Sequence, residues 1–241
     1  MARFNIIQKI IAKLYFRFAE AIPRAQKISY SQCGEDLIVD FLLTHILEIK
    51  NPNYLDIGAH HPVHFSNTYL FYQRGCRGVS LEPDPVLFKV IAQERSGDIN
   101  INKGVGFKEQ SEMADFYTMS YRALNTFSKI DAERISESGV YKIDAIQSIE
   151  LININTIMSA YFPSGLVDFL SIDVEGLDLD ILKSIDFIQY KPRVICVETI
   201  VFTSGKKISK LHDTIDFLVA NGYHNYADTS INTIFVRKDL L

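Results

Sequence analysis

Tryptophan is absent from the 241-residue chain, and only three cysteines are present. Cys33, Cys76 and Cys196 lie far apart, so their spacing gives neither a disulfide framework nor a Cys-x-x-Cys metal pair. We expect buried free thiols in a reducing compartment, which predicts a cytoplasmic protein. An excess of positive charge is also missing, because the formal net charge is −4. The composition therefore argues against nucleic-acid binding, which usually requires a basic surface.

Long apolar runs are missing as well, which argues against a transmembrane span, and no signal-like cleavage site predicts secretion. Residues 1–28 instead predict a basic amphipathic helix. Ile7 and Ile11 recur at helical spacing on one face, and Lys9 and Lys13 lie on another. Such a helix can lie on the inner face of an anionic membrane, mediate self-association or pack on its own domain. Packing within protein is the favoured interpretation, because amphipathic helices usually bury their apolar face there.

Residues 29–241 predict one α/β domain, because short apolar runs alternate with helical patterns from Asn53 onward. A polar, aromatic-rich segment at about residues 107–150 breaks the alternation and predicts an insertion with a hairpin and a helix at Lys129–Glu137. The predicted strands of the core are Tyr54–Ile57, Gly78–Leu81, Ile99–Asn102, Val167–Ile172, Val194–Val197, Tyr223–Ala227 and Thr233–Val236. Its main helices are predicted at Pro85–Gln93, Asn155–Tyr161, Leu179–Ile185 and Ile208–Asn221.

Acidic side chains stand at the carboxyl ends of four predicted strands, where open α/β sheets bind their ligands. These residues are Asp56, Glu82, Asp173 and Glu198. Gly58 and Glu82 give the sharpest spacing: a glycine turn after the first strand lets the backbone approach a ligand, and an acid after the second accepts ribose hydroxyls. This pattern serves any adenosine cofactor.

The dinucleotide fingerprint G-x-G-x-x-G is missing, since Gly58 is the one glycine in the turn that follows the first strand. A cofactor without a pyrophosphate does not need that cradle. A nicotinamide-dependent oxidoreductase is one alternative, although the chain also lacks a Tyr-x-x-x-Lys pair. A cofactor-binding subunit without catalysis is the other.

Several segments together resemble the FkbM-type methyltransferases. They are Ser31-Gln32-Cys33-Gly34-Glu35-Asp36, Tyr54-Leu55-Asp56-Ile57-Gly58-Ala59-His60, Ser66-Asn67-Thr68, Leu81-Glu82-Pro83 and, most distinctive, Phe169-Leu170-Ser171-Ile172-Asp173-Val174-Glu175-Gly176. The resemblance implies a Rossmann-like methyltransferase fold: a mostly parallel seven-stranded sheet with an antiparallel last strand and helices on both faces. It implies S-adenosylmethionine as methyl donor and a hydroxyl of a sugar, glycan or natural product as acceptor, often in polysaccharide biosynthesis. Pro62 departs from the family pattern, in which a glycine often stands at this position.

The resemblance also assigns cofactor-binding residues. Asp56, Gly58 and Ala59 would line the methionine portion, Glu82 would hold the ribose, and Gly104 with Val105 would border the adenine. His60 and Asp173 adjoin the same site, and Gln32 and Glu35 precede the first strand in a segment that would fold over the cofactor. Their alternative role is local, as part of a helix start with Ser31 as N-cap.

Methyl transfer gains much of its rate from alignment, but a neutral hydroxyl also benefits from a base that takes its proton. Asp173, Glu175, Glu198 and His60 are the candidates, and Asp173 is favoured. Glu175 has an alternative role as an acid at a helix start. A Mg²⁺ ion held by oxygen ligands such as Asp173 and Glu198 is a further alternative. Zinc bound by the nearby histidines is less favoured, because no regular element places them on one face.

Overall fold

The computed structural model describes residues 27–174, 176–203 and 207–241. The predicted amphipathic helix at residues 1–28 lies almost entirely outside these ranges, and Glu175 also lies outside them. None of the helices in the described part of the chain is long and apolar enough to cross a membrane.

Twelve strands are found in the described residues: β1 (Tyr54–Ile57), β2 (Gly78–Leu81), β3 (Ile99–Ile101), β4 (Gly104–Gly106), β5 (Glu112–Met119), β6 (Ile143–Asn153), β7 (Phe169–Ile172), β8 (Val194–Glu198), β9 (Ile200–Thr203), β10 (Lys207–Lys210), β11 (Tyr223–Asp228) and β12 (Asn232–Arg237). The α-helices are α1 (Glu35–Phe41, continued by a π-helix at Leu42–Ile46), α2 (Tyr69–Gln73), α3 (Pro85–Glu94), α4 (Lys129–Glu137), α5 (Ile154–Tyr161), α6 (Asp178–Ser184) and α7 (His212–Ala220).

The central sheet has seven strands in the order β11-β12-β8-β7-β1-β2-β3. β12 pairs antiparallel with both β8 and β11, whereas β1, β2, β3, β7 and β8 pair in parallel. The predicted mostly parallel sheet with an antiparallel last strand is therefore confirmed. The chain runs from β1 outward to β2 and β3, then returns to β7 on the other side of β1. This reversal is the topological switch point, where ligands bind in open α/β sheets.

Two apolar clusters cover the two faces of the sheet, because successive side chains of a strand point to opposite faces. In β1, Leu55 belongs to a cluster with α5, α6 and α7, and Tyr54 belongs to a cluster with α1 and α2. All residues of β1, β7 and β8 are buried. The predicted helices on both faces are thus confirmed.

The insertion has the predicted hairpin, β5–β6, and a helix with the predicted bounds, Lys129–Glu137. Gly104–Gly106, which is not among the predicted strands, forms strand β4, because it pairs with β6 to complete a second, three-stranded sheet. The predicted helix start at Ile208 is also wrong: Lys207–Lys210 pairs with β9, and the helix begins at His212. All three cysteines are free as expected, but Cys33 is exposed rather than buried.

Candidate active site

A cavity of about 320 Å³ opens at the carboxyl ends of β1, β2, β7 and β8. This is the edge of the sheet at the switch point, and the volume falls at the lower end of the roughly 300–1,000 Å³ usual for ligand pockets. Of the predicted site residues within the described chain, all but Glu35 line this cavity. They are Gln32, Asp56, Gly58, Ala59, His60, Glu82, Gly104, Val105, Asp173 and Glu198.

The turn after β1 requires glycine because it packs tightly against the chain that follows β7. Gly58 has φ 81°, and a Cβ built on it would lie 1.8 Å from the carbonyl oxygen of Asp173. The Gly58 and Ala59 N–H groups both donate to the Leu81 carbonyl, at 3.1 and 3.0 Å. The glycine thus brings the loops after β1, β2 and β7 together, and this contact places Asp173 beside the predicted methionine-binding turn.

Glu82 is buried at the end of β2 and organises two neighbouring loops. Its Oε2 accepts from the His60 N–H at 2.8 Å, and its Oε1 accepts from the Asp84 N–H at 2.8 Å. Burial, with further repulsion from Asp84 and Asp56, raises the pKa of Glu82 to about 7. Each oxygen still has a second lone pair, so the carboxylate can also accept ribose hydroxyls.

Asp56 is held from behind by a buried network that the sequence did not predict. Its Oδ2 accepts from Thr68 Oγ1 at 2.5 Å and lies 3.6 Å from Arg95 Nη1. The Arg95 guanidinium is fully buried, also donates to Thr68 Oγ1, and pairs with Asp98 at 2.7 Å. Burial raises the pKa of Asp56, and the charge of Arg95 opposes this shift. The network therefore fixes the orientation of Asp56 and supplies a countercharge.

Of the residues in this network, Asp56 and Thr68 were singled out from the sequence, but Arg95 and Asp98 were not. Thr68 belongs to the Ser66-Asn67-Thr68 segment of the family resemblance, which had no assigned role. Arg95 follows the end of α3 in a position where an arginine is ordinarily exposed. Nothing in its sequence neighbourhood indicates that its side chain is buried beneath β1.

Asp173 follows β7 and lines the cavity beside a second acid, Asp178, at the start of α6. Burial first, and then repulsion from Asp178, Asp56 and Glu35, raises the pKa of Asp173 well above the ordinary range of a carboxyl. The carboxylate of Asp178 accepts from the Val174 and Gly176 N–H groups, both at 3.2 Å. Among the described residues, no donor reaches the Asp173 carboxylate. Asp178 thus shapes the loop, and Asp173 lines the cavity without a hydrogen-bond donor from the described residues.

Gln32 and Glu35 have different positions, although one segment carries both. Gln32 is exposed and lines the cavity. Glu35 is fully buried outside it, where its Oε1 accepts from Thr229 Oγ1 at 2.7 Å and from Asn232 Nδ2 at 3.0 Å. Burial alone would raise the pKa of Glu35, but these hydrogen bonds outweigh burial and the pKa is lowered. Glu35 therefore ties this segment to the β11–β12 turn and does not itself face the cavity. Gly34, not Ser31, occupies the N-cap position of α1.

The other candidate bases lie at the same edge of the sheet. His60 is half-buried, in the left-handed region with φ 50°, and burial followed by the charge of His61 lowers its pKa. Glu198 is the last residue of β8, where it is buried and pairs in register with Asn232 of β12. Both residues line the cavity, whereas Glu175 lies outside the described residues.

The insertion contributes one wall of the cavity, on the side of the predicted adenine-binding residues. A Cβ on Gly104 would lie 2.5 Å from the Phe127 ring, so the ring packs directly on the Gly104 backbone. Asp84 is fully buried at the N-cap of α3, where its carboxylate pairs with Arg122 and accepts from Asn125 Nδ2 at 2.9 Å. These contacts anchor the insertion to the loop after β2.

Metal binding has no support within residues 27–174, 176–203 and 207–241. No group of three or more His, Cys, Asp or Glu side chains in these ranges is arranged to hold a metal ion. The Mg²⁺ alternative, with Asp173 and Glu198 as ligands, thus lacks a third histidine, cysteine or carboxylate ligand in these ranges.

Over residues 56–224, more than half of its length, the sequence matches the family described as methyltransferase FkbM domain. No curated protein matches it. Among solved structures, a TehB-like S-adenosylmethionine-dependent methyltransferase from Corynebacterium glutamicum is 10% identical, with a TM-score of 0.43 over 94% of this chain and 97% of its own. An O-methyltransferase from Bacillus cereus, in complex with S-adenosylhomocysteine, is 12% identical, with a TM-score of 0.38 over 98% of this chain and 91% of its own. At these identities and TM-scores, the likeness says nothing about the substrate of this chain.

Proposed function

Because this chain belongs to the FkbM methyltransferase family and is an S-adenosylmethionine-dependent methyltransferase, we propose that it methylates a hydroxyl group of a sugar or glycan. The observation that carries the proposal is the Asp173 carboxyl, which lines the cavity, has a raised pKa and receives no hydrogen bond from the described residues. A base of this kind suits a hydroxyl acceptor, whose proton must leave as the new C–O bond forms. The acceptor would belong to polysaccharide or natural-product biosynthesis.

The residues that line the cavity suit the chemical groups of S-adenosylmethionine. Val105 and the Phe127 ring provide apolar surface for adenine, and Glu82 provides a buried acceptor for the ribose hydroxyls. Asp56 and Asp173 add carboxylates beside the Gly58 turn, where the cationic end of the molecule would lie. When bound, S-adenosylmethionine supplies an electrophilic methyl group on a sulfonium sulfur. Its positive charge favours the ionised form of neighbouring carboxylates, so binding would lower the pKa of Asp173 and prepare it to accept a proton.

In the proposed reaction, an Asp173 carboxylate oxygen accepts the proton of the acceptor hydroxyl while the oxygen of that hydroxyl attacks the methyl carbon. The C–O bond forms as the C–S bond breaks, and the bonding electron pair returns to sulfur. Gly58 and Ala59 hold the turn that aligns the two substrates, through their hydrogen bonds to the Leu81 carbonyl. Alignment and proton removal are thus supplied by adjacent residues of one cavity.

Asp173→Asn tests this assignment, because it keeps the shape of the side chain and removes the proton acceptor. We expect the methylation rate to fall by roughly two to four orders of magnitude, the usual contribution of a general base. The affinity for S-adenosylmethionine should change far less than the rate. The measurement is transfer of labelled methyl groups to a pool of nucleotide sugars and lipid-linked glycans, with binding followed by calorimetry.

Asp180→Asn is the matched control, because Asp180 is an exposed acid on α6. If Asp173→Asn retained the wild-type rate, Asp173 would be structural, and Glu198→Gln and His60→Ala would identify the base instead. Chelator treatment of the wild type separately tests the Mg²⁺ alternative: loss of activity that added Mg²⁺ restores would favour a bound cation. Failure of the wild type to methylate any hydroxyl in the pool would contradict the proposed function, methylation of a sugar or glycan hydroxyl.

A further inference from the structure

Two exposed aromatic side chains, Phe65 and Tyr121, line the cavity from different segments of the chain. Phe65 belongs to the loop after β1 and is 61% exposed; Tyr121 belongs to the insertion and is 51% exposed. Phe116 also lines the cavity, but it is buried and packs against Phe127 at a ring distance of 4.8 Å. Phe116 is thus part of the protein interior, whereas Phe65 and Tyr121 present ring surface to whatever enters the cavity.

The loop that carries Phe65 has a defined geometry that keeps this ring exposed. His61 Nδ1 accepts from the Val63 and His64 N–H groups at 3.1 and 3.0 Å, and the Ser66 N–H donates to the Tyr30 carbonyl at 3.1 Å. Phe65 itself has φ 58°, in the left-handed region that large side chains avoid. Such strain in an ordered loop concentrates at ligand-binding sites. An exposed ring in a strained, hydrogen-bonded loop therefore points to contact with a ligand.

Tyr121 is supported in a comparable way by the segment that directly precedes β6. Its ring stacks on Tyr141, with centroids 5.9 Å apart and planes 26° apart. The Ser120 N–H donates to the Lys142 carbonyl at 2.9 Å, which holds the two strands in register beneath the rings. Tyr141 thus supports the Tyr121 ring, and Tyr121 is the member of the pair that lines the cavity.

The charges of the cavity limit what can bind against these rings. Four carboxylates line it, and among the described residues the lysine and arginine side chains that line it are Lys103 and Arg122. Lys103 Nζ lies 2.7 Å from Glu150 Oε1, and Arg122 pairs with Asp84. Both cations are thus engaged by carboxylates of the protein. A phosphate or carboxylate on the acceptor would enter an acidic cavity without a countercharge there, at an electrostatic cost.

From these observations we propose that the acceptor binds as an uncharged pyranose ring between Phe65 and Tyr121, at the mouth of the cavity. The apolar C–H face of the ring contacts the aromatic surfaces, and its hydroxyls point toward Asp173. Amphipathic aromatic rings are suited to such a site, because they offer large contact area at a low entropic cost. This inference rests on the proposed function, since it names the acceptor of that same site.

The experiment uses the full-length protein saturated with S-adenosylhomocysteine and a panel of methyl pyranosides of glucose, galactose, mannose and N-acetylglucosamine. Methyl glucuronide and methyl galacturonide are the charged counterparts. Saturation-transfer difference NMR reports which sugar protons approach the protein. We expect at least one uncharged pyranoside to bind through its ring C–H protons, and the matching uronate to bind at least several-fold more weakly.

Three variants locate the binding site. Tyr121→Ala and Phe65→Asn should each lower the saturation transfer at least fivefold. Asparagine is chosen because it tolerates the left-handed backbone of position 65. Tyr161→Ala is the control, since Tyr161 is 40% exposed and lies beside Asn53 and Leu166, away from the cavity. Unchanged melting temperature and S-adenosylhomocysteine affinity would show that the variants keep their fold.

The inference would be overturned by any of three results: no uncharged pyranoside binds, the uronates bind as tightly as the uncharged sugars, or both variants bind the sugars like the wild type. These outcomes can be told apart from failure of the proposed function. If methyl transfer to a hydroxyl proceeds at the same rate in Tyr121→Ala and Phe65→Asn as in the wild type, this inference is wrong and the proposed function stands. Pyranoside binding that depends on both residues, without any methyl transfer, would do the reverse.

Discussion

Glu82 combines two tasks that differ in their demands on one carboxylate. It accepts the His60 and Asp84 N–H groups, which sets the backbone of the loops after β1 and β2. For the proposed function it must also keep lone pairs for the ribose, in a buried position where its pKa is raised to about 7. A residue with both tasks stabilises the loops in the absence of ligand and receives the ligand without rearrangement.

Glu82→Gln separates these tasks better than alanine, because glutamine keeps the volume and one acceptor oxygen. Charge-assisted hydrogen bonds are stronger than neutral ones, so we expect S-adenosylmethionine binding to weaken by roughly 1.5–3 kcal/mol. Isothermal calorimetry at pH 8, where the wild-type carboxylate is mostly ionised, measures the change. Glu94→Gln is the control, since Glu94 is exposed on α3. Equal affinities of Glu82→Gln and the wild type would remove Glu82 from the cofactor site.

Residues at strand ends were predictable from the sequence, and residues behind them were not. Asp56, Glu82, Asp173 and Glu198 follow or end apolar runs, and parallel strands bring their carboxyl ends to one edge of the sheet. Arg95 reaches Asp56 through a three-dimensional contact between segments about 40 residues apart. No local pattern encodes such a contact, so neither the role of Arg95 nor the contact of Glu35 with Thr229 and Asn232 was predicted.

At the level of elements, the insertion is anchored to the core at Asp84, and its residues 121–127 line the cavity. Arg122 and Asn125 reach Asp84 from the insertion, and Asp84 in turn caps α3 by accepting from the Val86 N–H at 2.8 Å. One buried carboxylate thus connects a core helix to a segment that interrupts the βαβ pattern. A change that makes the insertion more mobile is therefore expected to make the predicted adenine-binding side of the cavity more mobile as well.

Arg122→Ala tests this connection. The Arg122 side chain is 40% exposed, and Asp84 keeps Asn125 and its N-cap donors, so we expect a stability loss within about 1 kcal/mol. Hydrogen exchange at residues 122–127 should nevertheless accelerate, and S-adenosylmethionine should bind roughly three- to tenfold more weakly because the wall that carries Phe127 loosens. Mass spectrometry of exchange and calorimetry measure the two effects. Arg134→Ala, which loses a local pair with Asp131 in α4, is the control. The connection is refuted if exchange at residues 122–127 does not change.

The elements themselves were predictable where one periodicity dominates. The core strands are mostly apolar runs, and they form close to the predicted residues, since strands buried on both faces require that pattern. β4 was missed because Gly104 and Gly106 have low strand propensity, and its pairing with β6 outweighs that preference. The β9–β10 hairpin was missed because Ile208 also fits the helical spacing of α7, and only the pairing with β9 decides between them.

Across the whole molecule, function and stability make opposite demands on the buried acids at the switch point. Burial raises the pKa of Glu82 to about 7 and that of Asp178 to about 6, and it raises the pKa of Asp173 and Asp56 as well. A carboxyl whose pKa is higher in the folded than in the unfolded chain keeps its proton up to a higher pH when the chain is folded. Its contribution to the free energy of unfolding therefore falls as pH rises from about 4 to 7. Asp40 acts in a separate window, because its pKa is lowered to about 2 and its contribution is lost only as pH falls below about 4.

Glu82→Gln isolates this effect, because it removes one of the titrating groups and leaves the others. Near pH 5 the wild-type side chain is protonated and resembles glutamine, whereas at pH 8 it carries a buried charge. The melting temperature of the ligand-free variant, relative to the wild type, should therefore rise between pH 5 and 8. The raised pKa of Glu82 corresponds to a change in the free energy of unfolding of at most about 3 kcal/mol, which is a change of several degrees in melting temperature for a protein of this length.

Added S-adenosylmethionine should stabilise the wild type more at pH 8 than at pH 5, since a cationic ligand binds the ionised carboxylates preferentially. Scanning calorimetry at the two pH values, with Glu94→Gln as control, measures both effects. A difference in melting temperature that stays constant from pH 5 to 8 would mean that Glu82 titrates normally, and that burial at the switch point does not raise its pKa.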